Sequence, residues 1–460
     1  MKLPAYPKYK PSGLSACGHA QAGVEWLGDV PEHWDVKRLK MAAHLTDKKV
    51  EADEENPVPY IGMENIESWT GRLLPINPDV VPTGTANAFK AGHTLFGKLR
   101  PYLAKACNPD FDGLCSTELL VLNGVEFDRD SLRYALLSDG FIKLVDSSTY
   151  GSKMPRASWD FIGNCVLPIA PPAEQRAIAA FLDRETGRVD RLVAKKRELI
   201  ERLKEKRTAL ISRTVTRGLP PSAARAAGLP ENPSLKPSGV EWIGDIPTHW
   251  EVKKVKFVAK MESGHTPSRS EPSNWVDDEC VIPWVSLNDT KHLKEHDYIG
   301  DTAVKISEEG MKNSSAHLLP AGVVVFTRDA TIGLTAITTS PAAVSQHIIA
   351  WVPGPKVTPK YLLLSFKVMQ QYLESFTFGS TLKTIGMTDV RKLVTPVPPL
   401  PEQAAIAAYL DEETAKLDAL VAQVEEAVER LQEYRTALIT AAVTGKIDVR
   451  AVLPRAPANK

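Results

Sequence analysis

At 460 residues, with 43% apolar and 24% charged side chains, the chain can form two or three domains with cores of their own, and its composition is that of an ordinary globular protein. Its formal net charge of zero excludes the strongly basic balance of a stand-alone nucleic-acid binder, and five cysteines without a C-x-x-C pair argue against a disulfide framework or a thiolate metal site. The start, MKLPAYPKYKPSG, lacks the apolar core of a secretory signal, and no run reaches the roughly 18 apolar residues that cross a bilayer, so a reducing cytoplasm is expected.

The first predicted element is GVEWLGDVPEHWDVKR, residues 23–38, which returns 216 residues later as GVEWIGDIPTHWEVKK, residues 239–254, identical at eleven of sixteen positions. Trp26, Trp34, Trp242 and Trp250 are expected to anchor the chain in a core, with Gly-Asp and Pro forming turns between them. His33 and His249 are read as packed or capping. Between the motif and residue 165 lie short runs such as HTLFGKL and LLVLNGV, bounded by Gly, Asn and Asp as strands are, and a stretch with helical apolar spacing, DSLRYALLSDGFIKLV. A polar loop, TYGSK, follows at 149–153. Then comes PAEQRAIAAFLDRETGRVDRL at 172–192, where Pro in the first turn followed by Glu starts a helix.

Those last elements also recur, at an offset of 228: TFGST at 377–381, LPEQAAIAAYLDEETAKLDAL at 400–420, and YRTALI at 434–439 against KRTALI at 206–211. Gly151-Ser152 and Gly379-Ser380 are expected to form equivalent loops. The chain is therefore a tandem duplication. Its expected parts are a tail at 1–22, a globule at 23–165, a strand and long helix at 166–218, a Pro/Ala/Gly-rich linker at 219–238, a second globule at 239–393, a second long helix at 394–446 and a tail at 447–460. Inside the second globule VVVFTR and HIIAWV read as strands, and PKYLLLSFKVMQQYLESF as helix. Each globule is a mixed α/β fold.

Both long helices step apolar residues by three and four. Leu182, Val189, Leu192, Leu199, Leu203 and Leu210 form the expected seam of the first; Leu410, Leu417, Leu420, Val424, Leu431 and Leu438 form that of the second. Residues 174–218 carry 13 Lys/Arg against 7 Asp/Glu, and residues 402–446 carry 4 against 9. Opposite charge around apolar seams favours pairing of the unlike helices, although each charge run alone would read as a solvated face. An antiparallel pair is expected, relating the halves by a pseudo-two-fold, with four heptads giving a ruler of roughly 42 Å. A parallel pair would set the globules side by side.

Catalytic motifs are missing. There is no Asn-Pro-Pro-aromatic methyltransferase motif, no phosphate loop, no H-E-x-x-H and no histidine pair with metal spacing. The acids of NPDFDG belong to a turn.

The doubled order of GVEWLGDVPEHW, PPAEQRAIAAFLD and PPLPEQAAIAAYLD, each pair enclosing a divergent globule, resembles the specificity subunit of type I restriction–modification systems. The resemblance runs from about residue 23 to 446. It implies two target-recognition domains, each reading half of a split double-stranded DNA sequence, on an antiparallel coiled coil that spaces them and docks two modification subunits. Those subunits would carry S-adenosylmethionine and methylate adenine at N6. Restriction subunits, using ATP and Mg2+, would complete a nuclease. The insertion at 14–23 departs from the repeat and has no assigned role.

With 15 basic and 17 acidic residues in 36–165, and 16 and 14 in 252–393, the isolated chain is expected to hold DNA weakly, because phosphate neutralisation supplies most non-specific affinity. The residue types that read base edges occur in polar loops as Lys98, Arg100, Lys153, Arg156, Arg328 and Lys383. The alternative for any one of them is an ordinary surface role. Competing readings of the whole chain are a methylation-only specificity subunit, a fused enzyme that reads its own target, and a coiled-coil scaffold without DNA readout.

Overall fold

The computed structural model describes residues 4–12, 26–51, 58–77, 84–275, 280–377 and 383–451. The expected loop residues Gly379 and Ser380, the insertion at 14–23 and Cys17 lie outside the described residues. The chain divides into two compact units, one of residues 1–198 with 424–460 and one of residues 199–423. Two long helices, Pro172–Arg217 and Leu400–Val443, contain 46 and 44 residues, or about 69 and 66 Å at 1.5 Å per residue. Each unit thus holds the start of one long helix and the end of the other.

In the first unit, strand Thr94–Gly97 lies between Leu119–Gly124 and Ala106–Cys107, with Ala43–Leu45 beyond Leu119–Gly124. Successive strand residues face opposite sides, and both sides are covered. Phe96, Leu120 and Leu122 pack with Leu132, Leu136 and Phe141, while Leu95, Leu119 and Val121 pack with Ile61 and Phe89. The expected single helix DSLRYALLSDGFIKLV is two, Arg129–Leu136 and Asp139–Ser147. Ser138 adopts the extended conformation of an N-cap residue, and its buried hydroxyl donates to Ala135 O at 2.7 Å, ending one helix as the next begins. Burial pushes the Cys107, Cys115 and Cys165 thiols up to about 12, which makes them core groups.

The second unit uses the same device. A five-stranded sheet has the order Ala259–Ser263, Ile348–Pro353, Val324–Thr327, Thr335–Thr338, Tyr298–Ile299. Val324, Phe326, Ile349 and Trp351 face helix Pro359–Val368 through Leu362 and Phe366; Val325, Ile348 and Ala350 face Val285 and Leu293. The expected linker is ordered, with a short helix, Pro221–Ala226, and a strand, Leu235–Pro237, paired with Asp245–Pro247. Tyr9–Pro11 pairs with Asp29–Pro31 in the same way in the first unit, so each Trp motif is preceded by a strand of its own frame.

The helices run antiparallel wherever they meet inside a unit. In the first, Ile178, Phe181 and Leu182 share a core with Leu438, Ile439 and Ala442, and further along Val189 and Val193 meet Val428. In the second, Arg207 pairs with Asp418 at 3.0 Å, and Ile211 and Val215 share a core with Ile406 and Leu410. Of the expected seam, Leu182, Val189, Leu203, Leu410, Leu417, Val424 and Leu438 are buried and Leu210 and Leu431 are half-buried. Leu192, Leu199 and Leu420 lie at the surface instead, and Val193, Ile200 and Val428 are buried. A straight helix drifts about 20° per heptad from a strict seven-residue repeat, which moves the contact onto neighbouring positions.

The repeated motifs meet where a helix start, a helix end and a Trp motif converge. In the first unit Trp34 is 1% exposed and packs with Phe181, Ile439 and Ala442; in the second Trp250 is fully buried beside Val215 and Ile406. Glu174 and Glu402, both buried, each lie 2.9 Å from a histidine, His33 and His249 respectively. The next residue fixes the globule. Gln175 donates to Glu126 O and Ala170 O at 2.8 and 2.9 Å and accepts from Asp128 N–H at 2.6 Å. Gln403 repeats this with Lys356 O, Pro398 O and Thr358 N–H at 2.9, 2.9 and 2.8 Å. Past the helix ends, Gly445 and Gly218 have φ of +70° and +84°.

A Cβ on Gly445 would sit 2.3 Å from Pro31 Cδ and 3.2 Å from the Trp34 ring, whereas one on Gly218 would meet ordinary contacts of 3.5 Å or more. Gly218→Ala should therefore cost only the left-handed backbone penalty of about 1–2 kcal/mol. Gly445→Ala adds an overlap and should cost roughly 3 kcal/mol or more in thermal unfolding. A second contrast concerns the equivalent arginines. Arg435, 5% exposed, bonds Asp190 Oδ1 at 2.9 Å, Trp69 O at 2.7 Å and Thr70 O at 3.2 Å. Arg435→Ala leaves those groups unpaired and should destabilise by about 3 kcal/mol; Arg207→Ala, half-buried and paired with the exposed Asp418, should cost less, about 1 kcal/mol.

Asp297 gives a pH dependence. Burial alone would raise its carboxyl, but Lys367 and Lys360 outweigh that and hold it below the usual 3.8. A depressed carboxylate contributes stability that is complete above its unfolded value and is lost as pH falls through the folded one. The melting temperature of the wild type should therefore fall toward that of Asp297→Asn as pH drops below about 4.

Candidate nucleic-acid interface

The residue types expected to read bases gather on one loop pair in each globule. In the first, strand Thr94–Gly97 runs into Lys98, whose N–H donates to Glu118 O at 2.9 Å and whose carbonyl accepts from Ala157 N–H at 3.0 Å. Arg100 turns the chain at φ +49° and donates its N–H to Pro155 O at 2.7 Å. Tyr150 and Arg156 exchange two backbone bonds of 3.0 Å, closing a small loop in which Gly151 takes φ +91°. Lys153, at the tip, offers its carbonyl to the Arg100 guanidinium at 3.4 Å.

In the second globule the frame is the same. Arg328 N–H donates to His347 O at 3.0 Å, Ile385 N–H to Arg328 O at 3.0 Å, and Ala330 N–H to Lys383 O at 2.9 Å. Ala330 has φ +63°, matching Arg100, and an isolated bridge joins Asp329 to Thr384 as one joins Leu99 to Arg156. Three equivalent backbone bonds thus hold each loop pair; Lys98, Arg100, Arg328 and Lys383 take part in these bonds, and Lys153 and Arg156 lie on the same loop of the first globule.

The side chains mounted on this frame differ. Arg156 is engaged by Glu118, with its Nε 3.0 and 3.1 Å from the two carboxylate oxygens, and that carboxylate holds the guanidinium's proton more tightly than usual. Arg156 is thereby a brace. Arg100 and Lys153 are exposed, Lys98 is half-buried, and no salt bridge to these three occurs among the described residues. Tyr150 and Met154, 63% and 52% exposed, flank them. In the second globule Asp329 takes the bracing position, accepting from the Thr384 hydroxyl and lying 2.7 Å from His347 Nδ1. Gln346, exposed beside His347, projects an amide where the first globule has Thr117.

Residue selection by type missed Tyr150, Met154, Glu118, Asp329 and Gln346. The recurrence of TYGSK and TFGST had marked the loop; the strands next to Glu118 and His347 were legible as LLVLNGV and HIIAWV, but nothing local placed them beside these loops, because their partners are distant in sequence.

Fold and loops together define a duplicated protein whose frame repeats and whose loop chemistry does not. Residues 247–430 match the type I restriction modification DNA specificity domain. The type I restriction enzyme MjaIX specificity subunit of Methanocaldococcus jannaschii is 32% identical over 170 residues, covering 36% of this chain and 38% of that protein. The MjaVIII specificity subunit of the same organism is 23% identical over 92% of this chain and 94% of its own. The fold is shared, at a TM-score of 0.68 and 20% identity, with a chain solved in work on complex assembly and conformational transition of the type I R-M system, covering 90% of this chain and 98% of that one. The chain is thus similar to type I restriction enzyme specificity subunits, through the domain matched at 247–430 and, at lower identity, along most of its length. Among the described residues no helix is long and apolar enough to cross a membrane.

Proposed function

We propose that the chain is the DNA-recognition subunit of a type I restriction–modification complex, each globule reading one half of a bipartite, gapped target. The observation that carries this is the loop pair: one backbone frame, held by equivalent hydrogen bonds, presents Lys98, Arg100 and Lys153 in one globule and Arg328, Gln346 and Lys383 in the other. Two unlike half-sites need two unlike readers, and a common frame lets both approach a duplex groove in the same way. Arginine and lysine suit guanine, and glutamine suits adenine, in the major groove. Arg156 and Asp329 hold these loops in shape.

Methylation belongs to the partners. In this reading two modification subunits bring S-adenosylmethionine and restriction subunits bring ATP and Mg2+, while this chain binds, orients and spaces. The paired long helices, continuous over 46 and 44 residues, are the docking and spacing element. The complex acts in the cytoplasm.

The test is co-expression with the modification subunit, followed by mapping of methylated adenines. A split motif with a fixed gap is the expected result. Replacing residues 59–167 by the equivalent globule of another such subunit should change one half of that motif and leave the other intact. Arg100→Ala should relax discrimination within the first half-site alone, by about 1–3 kcal/mol if it makes a bidentate base contact. A stable complex that methylates without sequence preference would refute the assignment.

A further inference from the structure

Exposed apolar side chains fall into two classes. Some, such as Val281, belong to one globule and have no described counterpart of like character. Others recur at equivalent positions of the repeat. Directly after each Trp motif the chain reads VKRLKM at 36–41 and VKKVKF at 252–257, so Met41 and Phe257 correspond. They are 60% and 69% exposed, and Phe257 is the most exposed large apolar residue among those described.

Their mounting is rigid and also repeats. The strand Asp35–Arg38 pairs with Val166–Ile169, and Glu251–Lys254 pairs with Val394–Val397, in each case the strand that leads into a long helix. The next residues, Leu39 and Val255, are fully buried, and their N–H groups donate to Cys165 O and Leu393 O at 2.9 and 2.8 Å. Met41 and Phe257 stand two residues beyond these anchors, on the repeated frame.

The surrounding cations repeat as well, and they divide by partner. Lys37 is neutralised by Glu126 and Asp35, at 2.6 and 3.4 Å, and Lys253 by Glu251 at 2.6 Å. Arg38, Lys40, Lys254 and Lys256 are exposed, and none forms a salt bridge among the described residues; Lys256 lies 5.3 Å from the Phe257 ring centroid. Each half therefore carries an apolar knob with a basic rim.

We propose that Met41 and Phe257 are, in addition to the long helices, anchoring points for the two copies of one partner protein, the modification subunit, whose socket for each is apolar with an acidic rim. This rests on the function proposed above. A contact that recurs in both halves serves whatever both halves meet alike, which excludes the unlike half-sites. A DNA backbone would satisfy the cations but offers no pocket to the apolar group between them, whereas a desolvated apolar anchor inside a polar rim is the usual core of a protein interface.

The experiment uses the full chain co-purified with its modification subunit, with subunit stoichiometry read by native mass spectrometry and affinity by titration. The wild type should bind two copies. Met41→Glu and Phe257→Glu should each weaken one copy by roughly tenfold or more, the scale of a lost interface anchor, and the double variant should bind none. Val281→Glu, equally exposed but unrepeated, should keep both copies and shows that an added surface charge is not itself disruptive. Retention of two copies at wild-type affinity in the double variant overturns the proposal. So does a variant that keeps both copies but binds target and non-target DNA more weakly by the same factor and with shallower salt dependence, which would assign the patch to phosphates. A wild type that binds no modification subunit would remove the proposed function and this inference together, while a two-copy wild type with unaffected variants would remove the inference alone.

Discussion

A buried carboxylate at the first turn of each long helix constrains everything around it. Glu174 and Glu402 are 5% and 6% exposed, and a charge so placed needs a partner or costs several kcal/mol. The histidine ring of the Trp motif lies 2.9 Å from it in both units, and in the first unit the Tyr6 hydroxyl also donates to Glu174. That contact brings Trp34 and Trp250 down beside the helix start, where the remaining wall of the pocket is the end of the other long helix. Close approach there depends on glycine: Gly445 leaves room for Pro31 and Trp34 while turning the chain through a conformation that a side chain resists. Each unit is consequently completed by a helix end from the opposite repeat.

This arrangement separates holding from reading. Gln175 and Gln403 clamp their globules by three hydrogen bonds that involve mostly backbone groups, so the clamp is indifferent to which side chains the globule carries. Arg435 holds Trp69 and Thr70 by their carbonyls in the same spirit. The loop pairs follow this rule too, since the bonds that shape them run between backbone atoms while their side chains remain free to differ. A frame built on backbone recognition tolerates divergence in the globules without losing its geometry.

Much of this was legible in the chain itself. The repeat offsets located both frames, the apolar periodicity located both long helices, and the opposite charge of 174–218 and 402–446 indicated their pairing. The polar loop at 149–153 was marked by its Gly-Ser recurrence. What escaped was registration between distant segments. Heptad counting selected Leu192, Leu199 and Leu420, which are exposed, because a straight helix drifts away from a strict seven-residue period. Residue type selected Arg156, but only its approach to Glu118, 38 residues away in sequence, makes it a brace.

The amino-acid sequence by itself determined the duplication, the nature of each element and the division between repeated frame and variable globule, because these depend on local periodicity and on self-similarity. Tertiary structure alone decided that each Trp motif closes on the other repeat's helix end, which cations keep their charge unmatched, and that Met41 and Phe257 stand in solvent. Those outcomes depend on what lies across a gap of a few ångströms between residues far apart in the chain, and no local pattern encodes that distance.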